Sequence, residues 1–529
     1  MDGMPLILLV LSALAVTAVS RRLRLPAPLT LVVAGLAISA IPGVPDYQLD
    51  PNLVLYGILP PLLYSAALDS SAIQIRTNIR SIALLAVGLV LFSTACIGLV
   101  AWWLVPGLPL GAALALAAVV APPDAVAAVS IGRNLGLPRR VMTVLSGESL
   151  FNDATALTAL RVAVGAGVGT SFSLTAELGR FVLTAAGGVV LGAVLGRVVH
   201  QVRLRLRDPK LESALGLVVP FAAYALAEEL HVSGVLAVVM TGMYLSHHAP
   251  QAGYATRLQD QAVWQAADTV LEAFVFALIG LQLPAVVRGV SGDIRPLLIA
   301  AAAVTLTAVL ARAVWVFPAV YLPRVLFARL GARDPAPPWQ FPAVISWAGM
   351  RGVVTLAAAS SIPQVTHSGT PFPGRSEIIF LAFCVTVATL LLHGLTLPWV
   401  IRRLAGEGRL GVEGRESHQD AVAEADAVHA ATQAALERLE STSNGVPNSV
   451  TTRLRKAAEH RSNSVWERLG RPETEVGEAP SVIYRRLRLE MLAAERDTLV
   501  GLRDAGRIND DVLARTLHDL DLEEAILSR

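Results

Sequence analysis

Residues 146–160 read SGESLFNDATALTAL, a polar cluster that feeds into an apolar run. On a helix, residues four apart lie on one face. Glu148 and Asn152 therefore share a face, and Ser149 and Asp153 share another. Neighbouring turns offer a hydroxyl, a carboxamide and two carboxylates, the oxygen donors that hard cations prefer. A helix-capping cluster is the plain alternative, since Ser, Glu, Asn and Asp all suit a first turn. Capping accounts for Ser146 and Glu148. It does not account for Asp153, which lies a turn or more inside.

Two more stretches share this character. Residues 114–130 read LALAAVVAPPDAVAAVS. Pro122 and Pro123 remove two backbone donors, so a helix here must break or kink. Irregular backbone at membrane depth is tolerated only where it lines a cavity or packs on protein. Asp124 follows directly, either as a buried acid beside a broken helix, a recurrent ion-site device, or as an interfacial residue at a kink. Residues 341–360 read FPAVISWAGMRGVVTLAAAS, with Arg351 mid-span between Gly349 and Gly352. An arginine at that depth needs a partner or must snorkel to water. Glu148 is the natural partner.

The composition places these stretches in a membrane protein. The chain of 529 residues is 54% hydrophobic and only 16% charged, with a mean hydropathy of +0.57. Soluble domains carry roughly a quarter charged residues, and single cores stop growing near ~250–300 residues. Disordered, collagen-like and disulfide-built classes are excluded. The formal net charge is +2, and no long basic stretch points to nucleic acid. Cys96 and Cys384 lie apart in apolar runs, which suits structural thiols rather than a metal or redox pair. Phosphate loops, HExxH and GxSxG are absent, so no catalytic residue and no cofactor is indicated.

A bilayer span needs roughly 20 apolar residues. Thirteen segments qualify, centred near Leu11, Val33, Ile58, Leu91, Ala117, Leu157, Val190, Pro220, Val238, Phe276, Ala308, Ile345 and Thr386. The second is short, ending at Pro42, and only Glu228, Glu229 and His231 divide the eighth from the ninth, so twelve is the alternative count. Positive residues collect in cytoplasmic loops. With the amino terminus outside, the inner loops carry eighteen basic residues, among them Arg24, Arg133, Arg207, Arg329 and Arg333, against four outside. The first span lacks a basic leader and is followed by arginines, which argues for a retained helix over a cleaved signal. The remaining charged residues in the spans read as peripheral. Asp268 and Glu272 are expected to be solvated near the cytoplasmic interface, Arg161 and Arg312 to snorkel, and His393 to serve as a packing hydrogen-bonder.

From Arg402 onward the chain holds 23 of its 41 acids and 19 of its 43 bases. That shift divides a transmembrane domain, 1–403, from a cytoplasmic helical domain, 404–529. The second part reads as amphipathic helices at Glu416–Glu440, Arg453–Leu469 and Ser481–Ala505, with Asn444–Gly445 as a breaker, closing on DAGRINDDVLARTLHDLDLEEAIL. A helical hairpin that packs on itself or on a dimer mate is the plain reading; a regulatory domain sensing pH or nucleotide is the alternative.

Four landmarks then carry a family resemblance: APPDAVAAVS at 121–130, GESLFNDATAL at 147–157, WAGMRGVVTLA at 347–357 and HGLTLPWVIRRL at 393–404. They resemble those of the monovalent cation/proton antiporters of the bacterial sodium/proton exchanger type, the cation:proton antiporter 1 family, over nearly all of residues 1–405. The resemblance implies an all-α inverted-repeat fold of about thirteen transmembrane helices. In it, discontinuous fifth and twelfth helices cross, and the protein is a homodimer in lipid. It implies that Asp153 carries the exchanged cation or proton, with Asp124, Asn152, Ser149 and the Pro123 carbonyl as neighbours, and that Glu148 and Arg351 form a structural ion pair. Two departures remove possible ligands: Ser65 stands where many relatives have an acid, and Pro123 where a threonine is common.

The expected activity is exchange of Na+, or of Li+ or K+, for H+ across the cytoplasmic membrane. It is electroneutral, serves pH and cation homeostasis, and uses no enzyme chemistry. Two rivals remain at this point. One is an intramembrane aspartyl protease using Asp124 and Asp153, although GxGD is missing from the spans and the Gly-Asp pair, Gly292–Asp293, lies in an outer loop. The other is a cation channel.

Overall fold

Backbone groups at membrane depth have no water to bond, so an apolar chain satisfies them within helices. The computed structural model describes residues 3–23, 25–42, 51–124, 128–129, 131–132, 135, 137–167, 174–206, 208–290, 293–326, 336–366, 370–405, 413–442, 447–469, 480–505, 507 and 510–527. Among these, regular structure is helical throughout, apart from one isolated bridge between Val365 and Pro371. Arg24, Arg133, Arg207, Arg329, Arg333, Gly292 and the Asn444–Gly445 breaker lie outside the described residues. The chain forms two compact units, Met1–Leu410 and Gly411–Arg529.

In the first unit, each of the thirteen sequence centres falls within a helix. Among the described residues, six helices are long and apolar enough to cross a bilayer: Ala72–Leu104, Gly179–Leu206, Pro209–Glu229, Tyr254–Arg288, Ile294–Leu326 and Arg375–Leu404. Shorter apolar helices are Ala27–Ser39, Leu53–Leu68 and Leu110–Val120.

The division between the eighth and ninth segments has a clear local cause. His231 takes a left-handed φ of 56°. Around it the Val232 N–H reaches back to the Ala227 carbonyl at 2.9 Å and the His231 N–H to Glu228 at 3.0 Å. This doubled closure ends Pro209–Glu229. Ser233 then caps Gly234–His248 by accepting the Leu236 N–H at 3.3 Å.

Two π-helical turns interrupt the regular spacing. One, Leu53–Ile58, precedes Pro60 and Pro61, which lack the donors an α-turn would use. The other, Leu84–Leu89, leaves the Leu84 carbonyl to accept the Trp315 indole N–H at 2.9 Å.

At the centre sits Leu110–Val120, whose alanines and valines are almost wholly buried. Small side chains let it pack at once against the helices Val90–Leu104, Arg139–Gly167 and Arg375–Ala405. It stops where the two prolines begin: Ala121 still donates to Ala117 at 2.8 Å, and Pro122 and Pro123 cannot continue the ladder. The twelfth segment breaks as well, into Gln340–Trp347 and Val353–Ser360 with residues 348–352 non-helical between them. The two breaks meet, and the Asp124 N–H donates to the Met350 carbonyl at 2.7 Å.

The second unit contains Glu413–Thr442, Asn448–Leu469, Pro480–Asp504 and Asp510–Leu527, packed as two successive helix pairs. Its ties are charged. Arg488 forks onto Glu523 at 2.7 and 2.8 Å and reaches Glu495 at 2.9 Å, while Arg496 bonds Asp521 at 2.7 Å and Glu524 at 2.6 Å.

Candidate functional site

Where a helix stops at paired prolines, the preceding carbonyls lose their helical donors and need new ones. The Pro123 carbonyl finds one in Asn152 Nδ2, at 2.7 Å. Asn152 is fully buried, so it braces the break from the neighbouring helix Arg139–Gly167. Asp124, just after the break, is pressed against Gly352. A β-carbon on Gly352 would lie 1.7 Å from Asp124 Oδ2. The GMRG stretch thus uses glycine where one broken segment passes the other.

One turn beyond Ser149 on the same face, Asp153 is 7% exposed. Its carboxylate has no hydrogen bond or ion pair among the described residues. It borders a cavity of about 630 Å3 lined also by Pro123, Asp124 and Ser149. Of the residues expected at the site, these four line one space and Asn152 supports it from behind. No three His, Cys, Asp or Glu side chains converge as a metal cluster among the described residues. A cation at Asp153 would therefore draw on hydroxyl, carbonyl and water oxygens as well as carboxylate.

The expected Glu148–Arg351 pair is replaced by another. Glu148, 1% exposed, receives Arg312 as a two-pronged bond, Nη1 to Oε1 at 2.5 Å and Nη2 to Oε2 at 2.9 Å. Arg312 also donates from Nε to the Ile345 carbonyl at 3.0 Å. It comes from the middle of Ile294–Leu326 and is 2% exposed, so it does not snorkel. Geometry decides the exchange of partners. Arg312 presents its planar fork squarely to the carboxylate, and the Ile345 carbonyl at the end of Gln340–Trp347 holds the guanidinium in place. Arg351 lies within electrostatic reach of both Glu148 and Arg312. Its side chain is buried, with Nε and Nη1 unpartnered among the described residues, and its backbone N–H donates to Thr389 Oγ1 at 3.2 Å. Arg351 therefore belongs to the break itself.

Asp268 and Glu272 also depart from expectation. Both are half-buried and both line the cavity with Asp153. Ser65 Oγ donates to Asp268 Oδ2 at 2.5 Å. Their spacing of four on one helix was the available signal. His393 packs edge-on against Trp347, with ring centroids 5.3 Å apart at 67°.

The family model for sodium/hydrogen exchangers, transmembrane region, matches residues 8–403. An uncharacterised Na+/H+ exchanger of Mycobacterium tuberculosis is 33% identical over 533 residues, covering 99% of this chain and 96% of that protein. A sodium, potassium, lithium and rubidium/H+ antiporter of Bacillus subtilis is 30% identical over 418 residues, covering 75% of this chain and 61% of the antiporter. The fold matches the solved structure of the sodium/proton antiporter MjNhaP1 from Methanocaldococcus jannaschii. That match has a TM-score of 0.57 at 18% identity and covers 76% of this chain and 98% of that one.

Proposed function

Because the chain belongs to the sodium/hydrogen exchanger family, we propose that Asp153 is the shared carrier through which it exchanges a monovalent cation for a proton. The protein is a multi-pass membrane transporter, not an enzyme. Neither the aspartyl-protease nor the channel reading of its membrane aspartates is supported by family, relatives or fold.

One observation carries the assignment to Asp153. Its carboxylate is more than nine-tenths buried and unpaired among the described residues, yet it borders a cavity lined also by Asp124, Ser149 and Pro123. A buried, uncompensated charge is too costly to persist. Asp153 therefore takes up either a proton or a cation, and one carboxylate does not hold both. Competition for that site, with access alternating between the two sides of the membrane, couples the fluxes without ATP. One charge exchanged for one makes the cycle electroneutral. Asp124, Ser149 and the Pro123 carbonyl complete the cation's oxygen shell, Asn152 fixes Pro123, and the Glu148–Arg312 pair holds the surrounding helices.

Sodium is the proposed cation, with lithium and potassium as alternatives; the name of the Bacillus subtilis relative includes all three. In this reading the thirteen-span domain lies in the cell membrane with its amino terminus outside and the carboxy-terminal unit in the cytoplasm, as the arginine distribution supports. Two copies pair in the lipid, and the exchange serves pH and cation homeostasis.

Everted vesicles with an acid interior test the activity. Adding Na+ is expected to drive protons out of the lumen. No proton movement with Na+, Li+ or K+, or cation flux without protons, would contradict it.

A further inference from the structure

The cavity at Asp153 extends past a second carboxylate that the exchange cycle above leaves unused. Asp268 lies on Tyr254–Leu281 and is half-buried. Ser65, on Leu59–Leu68 and 5% exposed, donates its hydroxyl to Asp268 Oδ2 at 2.5 Å. The other oxygen, Oδ1, is shut off from solvent and has no partner among the described residues. A hydroxyl orients a carboxylate but does not neutralise it. No basic side chain pairs with Asp268 among the described residues. With one oxygen orphaned and dry, the carboxylate is poorly compensated, and a cation or proton that reaches the half-buried Asp268 from the cavity would neutralise it.

The cavity also brings the two sites into one space. Asp268 and Ser65 line it together with Asp153, Asp124 and Ser149. A cation can therefore move between Asp268 and Asp153 within one cavity. Acidic walls of low dielectric focus the field and raise the local cation concentration.

We propose that Asp268, oriented by Ser65, is a further cation-binding carboxylate, separate from the Asp153–Asp124 site, that captures the substrate cation on its way to Asp153. The proposal rests on the exchange reading above. It gives Asp268 a different task from Asp153: Asp268 governs capture and Asp153 the exchange step. Loss of Asp268 therefore raises the cation concentration needed for half-maximal exchange and leaves the maximal rate in place, the signature of lost binding outside the rate-determining step.

The test compares three variants in proteoliposomes, reading Na+-dependent proton flux across a Na+ series. Asp268→Asn is expected to raise the apparent KM for Na+ about tenfold, as loss of one charged contact does, with the maximal rate within about twofold of the parent. Ser65→Ala keeps the carboxylate but frees it, and is expected to raise KM by a smaller factor. Asp153→Asn is expected to give no exchange at any Na+ concentration. An unchanged KM in Asp268→Asn overturns the capture site while leaving the exchange reading intact. A collapsed maximal rate with unchanged KM and an unchanged melting temperature also overturns it, by moving Asp268 into the exchange step. If Asp268→Asn does not fold, Ser65→Ala decides, and an unchanged KM there overturns the proposal. Exchange retained in Asp153→Asn would defeat the underlying reading instead.

Discussion

Glu148 and Asp153 stand five residues apart on one helix, and both are almost wholly buried. Their surroundings are opposite. Glu148 faces a guanidinium that meets both its oxygens. Asp153 faces a cavity and meets no fixed cation among the described residues. A carboxylate satisfied by the protein has no use for a mobile ion, whereas one left unsatisfied requires it. Burial alone thus does not mark an ion carrier; what distinguishes the two acids is whether the fold supplies the counter-charge.

The largest break in that comparison is removal of Arg312. Deleting one member of a buried pair strands the other charge and costs roughly 3–5 kcal/mol. Arg312→Ala is expected to lower the melting temperature of the detergent-purified protein sharply. The double variant with Glu148→Ala is expected to be less unstable than the sum of the two single losses. Strictly additive losses would show that the two are not energetically coupled.

A smaller effect is expected at the crossing of the broken segments. Gly352→Ala forces a methyl group to within 1.7 Å of the present Asp124 Oδ2. Overpacking of this kind typically costs about 1–3 kcal/mol. Because Asp124 must move away, exchange is expected to fall by more than the stability loss explains. Full activity in Gly352→Ala would show that the position of Asp124 is immaterial.

The second unit sharpens the comparison at its weak end. Arg488 forks onto Glu523 much as Arg312 forks onto Glu148, yet its side chain is 20% exposed and that of Glu523 43%. The Arg488 guanidinium holds the Glu523 carboxyl below the ordinary glutamate range. A lowered folded-state value means that the pair stabilises above the ordinary glutamate pKa of about 4.3, and that this contribution is lost as pH falls through the lower folded value. Arg488→Ala is expected to speed amide hydrogen exchange in Pro480–Asp504 slightly at neutral pH, and to make no difference once both Glu523 and Glu495 are protonated. An equal effect at both pH values would assign Arg488 a packing role.

The fold was legible where a single residue type forces the backbone. Pro122–Pro123 announced the first break, because missing donors act locally, whereas the break at Arg351 was carried by the family resemblance. The burial of Asp153 was legible from its depth within an apolar run. The partner of Glu148 was not. Arg312 and Arg351 are both mid-span guanidiniums, and the choice between them depends on which helices cross at what height, a property of packing that no local pattern encodes. Asp268 was misjudged for a related reason. Its helix begins at Tyr254, so Asp268 lies nearly four turns inside, and only the approach of Ser65 from another helix reveals that it faces a cavity.

In the proposed cycle the unpaired acid, Asp153, carries the ion and the paired one, Glu148, does not. Purified Asp153→Asn and parent protein in proteoliposomes, compared for Na+-driven proton flux at equal protein content, test it most directly. No flux above protein-free liposomes is expected for Asp153→Asn, with its melting temperature at or above that of the parent because a carboxamide needs neither proton nor cation to stay buried. Flux at the parental rate in Asp153→Asn would contradict it.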